Sequence, residues 1–428
     1  MRILLANYRY FVSGGSERYM FGVTSLLERA GHEVVPFSVR YARNRETPWA
    51  PYFADPIGSD TAVFFQEHAR DARTVWRGLQ RTFYAPDVYR ATERIVRAAR
   101  PDVALVQQYL RKLSPSLLVA LRDAGLPVVV RLSDFGMVCP ETHMLRHGQV
   151  CRECQTRGLA ACVRHKCLGG SLGVSAIGAA GLWFARARRY FDAVDCFVCP
   201  SEIMRREMIA GGCDPARLAV IPTFVQASEF DAGRPRERTV VFVGRLSFEK
   251  GVHVLLEACA RLHERGELDG VRVLILGTGL PDYQAVLQSL AAEVRDHVTF
   301  LGEQDAAAVR RILEGAAVSV VPSLWYENLP NSALESLAAG TPVLASDLGS
   351  MADILRQTGA GLLFEPGSAE DLARKLHAAL ADDDARREMS RAARRLAETR
   401  YAPEAHLTRL LEVLEAARAG HRRPPRPD

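Results

Sequence analysis

Val318-Ser-Val-Val-Pro-Ser-Leu-Trp-Tyr-Glu-Asn-Leu-Pro-Asn-Ser-Ala-Leu-Glu-Ser-Leu-Ala-Ala-Gly-Thr-Pro-Val-Leu-Ala345 decides the fold. It opens in a short β-branched run, Val318–Val321, and closes in a second apolar run, Pro342–Ala345. Between them Pro330 suits the start of a helix, where its missing N–H costs nothing. Strand, loop, helix and strand form one βαβ unit, and parallel sheets are built from such units. A strand end, a loop and a helix N-terminus also make an anion-binding crevice.

The same rhythm extends in both directions. On the N-terminal side, strands are expected at Ile3–Ala6, Glu33–Ser38, Val103–Gln107, Val128–Leu132, Cys196–Pro200 and Ala219–Pro222. Helical patterns such as Glu17–Ala30 and Ala91–Arg100 lie between them. A second series runs Val240–Val243, Val271–Leu276, Val298–Leu301, Val318–Val321, Pro342–Ala345 and Gly361–Phe364. The polar stretch 231–238 separates the two series and reads as a linker. The expected class is therefore α/β, with two Rossmann-like doubly wound domains of parallel sheet at 1–230 and 239–380. The helical region 381–420 follows, and 421–428 reads as a disordered tail.

Size agrees, since 428 residues exceed the roughly 250–300 that one core accommodates. Hydrophobic residues at 48% and charged residues at 25% are ordinary for a globular protein. A net charge of +5 suits a phosphorylated ligand or an anionic surface but is too weak to argue for nucleic acid. The N-terminus, Met-Arg-Ile-Leu-Leu-Ala6, shows no basic segment followed by a long apolar one, so a cytoplasmic, reducing setting is expected. Leu168–Ala185 is uncharged but glycine-rich, and a buried or interfacial helix fits it better than a membrane span.

Within the opening stretch Glu327 and Glu335 are eight residues apart. On one helix they would lie about 12 Å apart along the axis. That exceeds the roughly 5–9.5 Å of a glycosidase carboxylate pair, so the two carboxylates are expected to touch different parts of one elongated ligand. Val243-Gly-Arg-Leu-Ser-Phe-Glu-Lys-Gly251 follows a strand and places Arg245 and Lys250 on a glycine-bearing turn, a phosphate-binding arrangement. Gly244 belongs to the same turn. Gly277-Thr-Gly279 ends the next strand and reads equally as a plain turn or as a contact for a base or ribose. Gly14-Gly15, after the first strand, is a further phosphate-loop candidate.

The order of a Gly-Gly loop, "VGRLSFEKG", "LILGTG", and Glu-x7-Glu running into "LAAGTPV" resembles the family 4 retaining glycosyltransferases of GT-B fold. The resemblance spans residues 1 to about 380. It implies a nucleotide-diphosphate sugar donor, a glycan or lipid-linked acceptor, no catalytic metal, and transfer with retention of anomeric configuration. It also implies helices that return to the first domain at the C-terminus. Carried over by position, Arg245 and Lys250 neutralise the donor diphosphate, Glu335 holds the ribose, and Glu327 contacts the transferred sugar. Backbone N–H groups of Asn328, Leu329 and Asn331 line the pocket, and Gly15 lies beneath the diphosphate.

The chain departs from this pattern at Ser133-Asp134, where many relatives have His-Asp. Serine carries no proton that titrates near neutral pH, so the histidine's role is in doubt, with His143 as a candidate substitute. No motif supports an epimerase or a glycan phosphorylase on the same fold. Ser133 leaves open a protein that binds sugar nucleotides without turnover.

Five of the nine cysteines, Cys139, Cys151, Cys154, Cys162 and Cys167, fall in one segment. Cys151-x2-Cys154 suits a shared metal, and a structural Zn²⁺ held by Cys151, Cys154, Cys162 and Cys167, with Cys139 in reserve, is the favoured expectation. Disulfides, unliganded thiols and an iron–sulfur cluster are the other readings. Ala91–Arg100 and Trp183–Phe191 are basic and amphipathic, which suits either a solvated face or peripheral contact with the inner membrane leaflet.

Overall fold

The computed structural model describes residues 1–63, 67 and 71–420. The tail at 421–428 lies outside the described residues. The chain divides into two compact units. The first takes Met1–Met144, Cys151–Ile221 and the chain from Leu407 on; the second takes Leu145–Val150 and Pro222–His406.

The first unit is built on six parallel strands: β1 (Arg2–Ala6), β2 (Glu33–Phe37), β3 (Val103–Val106), β4 (Val128–Arg131), β7 (Cys196–Cys199) and β8 (Leu218–Val220). Their order is β2-β1-β3-β4-β7-β8. A small antiparallel hairpin, β5 (Leu145–Arg146) with β6 (Gln149–Val150), interrupts the count. The second unit repeats the plan with β9 (Glu237–Val243), β10 (Arg272–Leu276), β11 (Val298–Gly302), β12 (Ala316–Val321), β13 (Val343–Ser346) and β14 (Gly361–Phe364), ordered β11-β10-β9-β12-β13-β14. Every strand expected from the sequence forms, each within one or two residues of its expected bounds except β9, which begins three residues early at Glu237.

In the second sheet the winding direction reverses between β9 and β12. Open α/β sheets bind ligands at such a reversal, outside the carboxyl ends of the strands. In the first sheet the reversal falls between β1 and β3.

The strands are apolar throughout because both sheet faces are covered. All six residues of β12 are buried. The helix Val252–Glu264 buries Val252, Leu255, Leu256 and Cys259 on one side of this sheet. Leu334, Leu337, Ile354 and Tyr401 form a second core layer.

Two boundaries differ from the sequence reading. Residues 222–230 belong with the second unit, because Val225 and Ala227 sit in that second core layer and Val225 N–H donates to Tyr401 O at 2.9 Å. The polar stretch 231–238 ends inside β9, where Glu237 already pairs in the sheet. The Cys-rich segment 139–167 contains the hairpin and two short helices, Glu153–Thr156 and Ala160–Arg164. The uncharged stretch near Leu168 forms the helix Leu172–Ala187, and no helix among the described residues is long and apolar enough to cross a membrane.

Candidate active site

The turn after β9 is held by backbone pressed against backbone. Gly251 has φ +70°, and a Cβ there would lie 1.8 Å from Pro322 O. Only glycine allows the turn to lie on the loop after β12. Gly277, at φ +129°, and Gly279 serve the same end, since a Cβ at either would lie within 1.9 Å of the carbonyl of Gly244 or Leu246. Gly244 N–H donates to Leu276 O at 3.0 Å and Leu246 N–H to Thr278 O at 2.8 Å. The Gly-x-Gly pair is therefore demanded by the protein's own chain rather than by a ligand.

This locking brings Lys250 to Glu327. Lys250 Nζ lies 2.5 Å from Glu327 Oε1 and 5.6 Å from the centre of the Trp325 ring. Ser323 Oγ donates to the same Oε1 at 2.9 Å and Trp325 Nε1 at 3.0 Å. Glu327 is only 7% exposed, so three donors on one oxygen offset the cost of burying its charge. A carboxylate offers about four acceptor sites, so Glu327 keeps capacity beyond these donors. Ser350 Oγ fixes the backbone by donating to Glu327 O at 2.9 Å. None of Ser323, Trp325 or Ser350 was expected from the sequence, and no spacing signals them.

Arg245 stands apart from this cluster. Its side chain is exposed and lies 3.3 Å from Glu249, which also accepts from Ser247 Oγ at 2.6 Å. Glu335 lies on the helix Asn331–Ala338, whose cap is Pro330, so Glu327 and Glu335 do not share a helix. Asn331 opens that helix, Asn328 lies in the loop before it, and the Leu329 side chain is buried in the core. Lys250, Glu327 and their donors are thus brought together at the carboxyl ends of β9 and β12.

In the first unit Gly14 caps the helix Gly15–Arg29 with no side-chain hydrogen bond. Its φ of −177° is open to any residue, and a Cβ there would meet only Glu17 Oε2 at 3.6 Å. Beneath the loop Glu17, 1% exposed, lies 3.4 Å from Arg9 Nη1 and accepts from Ser13 Oγ at 3.3 Å. Asp134 follows β4 and accepts from Gly136 N–H at 2.8 Å. Burial raises the Asp134 carboxyl above its ordinary value; the Gly136 N–H, His143 and Arg111 oppose that shift. Ser133 is partly buried beside it. His143 Nδ1 is engaged with Glu141 at 2.9 Å.

Cys139 pairs with Cys154 and Cys162 with Cys167, and the two pairs lie close enough to influence one another. The hydrogen bond from Cys154 lowers the Cys139 thiol to about 7. All nine cysteines are free thiols. Among the described residues no set of three or more His, Cys, Asp or Glu side chains is arranged to hold a metal ion. Cys139 thus takes the place beside Cys154 that the spacing assigned to Cys151. The segment is also held by Arg152, whose Nε donates to both oxygens of the buried Glu207 at 3.0 and 3.2 Å, and by Gln155, which donates to Glu207 O at 2.9 Å.

Known proteins place this geometry in a family. Residues 226–396 match the glycosyl transferases group 1 model, and residues 14–223 match the glycosyl transferase 4-like domain model. The chain is 34% identical over 205 residues to a phosphatidyl-myo-inositol mannosyltransferase of Mycolicibacterium smegmatis, covering 46% of this chain and 52% of that one. It spans about half the length of the curated relatives it matches. Sucrose-phosphate synthase from Thermosynechococcus elongatus superposes with a TM-score of 0.71 at 19% identity, over 98% of this chain and 99% of that one. HepE of Anabaena in complex with UDP gives 0.65 at 17%, over 97% and 100%. At such identities the structures speak to fold, and the fold they share is GT-B. With both units matched in this way, the chain belongs to the glycosyl transferases of group 1, the family 4 group of GT-B fold.

Proposed function

We propose that the protein transfers a sugar from a nucleotide-diphosphate sugar to a glycan or lipid-linked acceptor, with retention of anomeric configuration, in the assembly of cell-surface polysaccharide or glycolipid. The observation that carries this reading is the Lys250–Glu327 pair at the reversal point of the second sheet. The mannosyltransferase relative is named for a lipid substrate, and HepE holds UDP, which supports a nucleotide donor and a lipid-linked acceptor here.

The chemistry follows from charge. Breaking the anomeric bond leaves a nucleoside diphosphate and an electron-poor sugar carbon. A cation already in place on the leaving group lowers that barrier without a protein nucleophile. Lys250 supplies this charge, and Arg245, exposed on the same turn, swings in to add a planar fork. Glu327 holds sugar hydroxyls through its remaining acceptor capacity, and Glu335 takes the ribose. The N-terminus of the helix Asn331–Ala338, with Asn328 and Leu329 before it, offers backbone N–H groups to the diphosphate.

The test is a donor screen. Purified protein is incubated with UDP-, GDP-, ADP- and dTDP-sugars and released nucleotide is measured, with Glu327→Ala and Lys250→Ala as controls. Release from one donor, lost in both variants, is the expected result. Tight nucleotide binding with no release, with or without acceptor lipids, would favour a non-catalytic binding protein, the reading that Ser133 motivates.

A further inference from the structure

The helix Leu172–Ala187 has no charged residue before Arg186. One face is fastened to the first unit. Ser175, Ala179, Leu182 and Ala185 are buried, and Phe184 packs edge-on against Phe83 and Tyr190 at 5.7 and 5.9 Å. At Gly181 a Cβ would lie 2.4 Å from Thr82 Cγ2, so this helix and the helix Ala72–Thr82 pack at close range.

The other face should be polar in an ordinary surface helix. It is not. Leu172 is 58% exposed and Trp183 63%, with Val174 and Ile177 also exposed between them. Val174, Ile177, Ala180 and Trp183 follow at steps of three, each about 60° round from the last, and wind across the exposed half of the helix. The adjoining helix adds exposed Val75 and Trp76. Large exposed apolar side chains gathered on two helices packed together mark an interaction surface.

The sequence flanking the helix is cationic. No acidic residue occurs between Glu153 and Asp192, while Arg157, Arg164, Lys166, Arg186, Arg188 and Arg189 all do. Arg186 turns inward to Met137 O and Arg189 is held by Asp192. Arg164, Lys166 and Arg188 remain exposed, as does Arg73 on the neighbouring helix. Pairing this patch with a second copy of itself would set cations against cations. Anionic headgroups would neutralise them, and the two exposed tryptophans are the residues that settle at headgroup depth. At 16 residues the helix is shorter than the roughly 20 needed to span a bilayer.

We propose that the exposed faces of Leu172–Ala187 and Ala72–Thr82 form a docking surface on which the protein lies in the plane of an anionic membrane. This surface is separate from the Lys250–Glu327 site and stands or falls independently of it.

The test is flotation of the full chain with vesicles of phosphatidylcholine alone or mixed with phosphatidylglycerol, at low and high salt. Nucleotide release in solution is read on the same samples, so loss of docking and loss of donor chemistry are distinguished. Expected are binding to the mixed vesicles only, release by salt, and a blue shift of tryptophan fluorescence. Trp183→Ser and Trp76→Ser should each weaken binding about tenfold, and Trp183→Phe should largely restore it. Because both residues are exposed, circular dichroism should show these variants folded. No flotation with anionic vesicles at low salt would overturn the proposal. So would binding indifferent to both tryptophans, or substitutions whose main effect is to dissociate a dimer in sedimentation.

Discussion

The turn after β9 in the second unit and the turn after β1 in the first both place glycines ahead of a helix, yet they hold their shape by different means. At Gly251 the chain runs so close to Pro322 O that no other residue fits, and the same contact sets Lys250 against Glu327. At Gly14 nothing crowds the Cα, and the loop is held from beneath by Arg9, Ser13 and Glu17. One glycine is required by the fold. The other is free of that demand.

Substituting the two glycines breaks the comparison most directly. Gly251→Ala combines a left-handed backbone with a backbone clash and should cost about 4 kcal/mol in urea unfolding. Gly14→Ala should change stability by about 0.5 kcal/mol or less, and its loss should be in diphosphate affinity. Equal stability losses would show the two turns to be alike.

The next effect is on turnover. Lys250→Ala should lower nucleotide release about 100-fold, the scale of one preorganised charge contact in a transition state. Arg245→Ala should cost less, since its exposed side chain must first leave Glu249. Both are read as kcat/KM.

Sequence legibility follows the same division. The strands of both sheets could be read because buried parallel strands are continuous apolar runs. The glycines of the turn after β9 were read as a phosphate-binding arrangement, and the lock of Gly251 on Pro322 O could not be read, because it depends on where the chain after β12 runs. Ser323 and Trp325 could not be assigned, because their meeting at Glu327 Oε1 depends on how the loop after β12 folds back. The order in the Cys-rich segment was hidden for a related reason. Arg152 and Glu207 are 55 residues apart, and the thiol pairs Cys139–Cys154 and Cys162–Cys167 depend on a hairpin with no spacing signature.

That segment yields a smaller effect. Arg152→Ala leaves the buried Glu207 carboxylate without its fork. Because Arg152 itself is half-exposed, solvent screens the pair, and the loss should be roughly 1–2 kcal/mol in urea unfolding. A neutral result would mean that the thiols or Gln155 order the segment.

The smallest effect concerns pH. Burial raises the Asp134 carboxyl, so the folded protein keeps this proton at pH values where the unfolded chain has lost it. Stability therefore falls as pH rises from the ordinary carboxylate value through the raised one. Asp134→Asn should flatten that slope in urea midpoints taken across mildly acidic pH. An unchanged slope would contradict the assignment.

The most direct test of the central claim is calorimetric binding of the preferred nucleoside diphosphate, and of its nucleoside alone, to the protein and to Lys250→Ala. If the Lys250–Glu327 cluster is the diphosphate site, the variant loses about tenfold or more in diphosphate affinity and nothing in nucleoside affinity. Equal diphosphate affinity in the two proteins would contradict the account and move the site away from the carboxyl ends of β9 and β12.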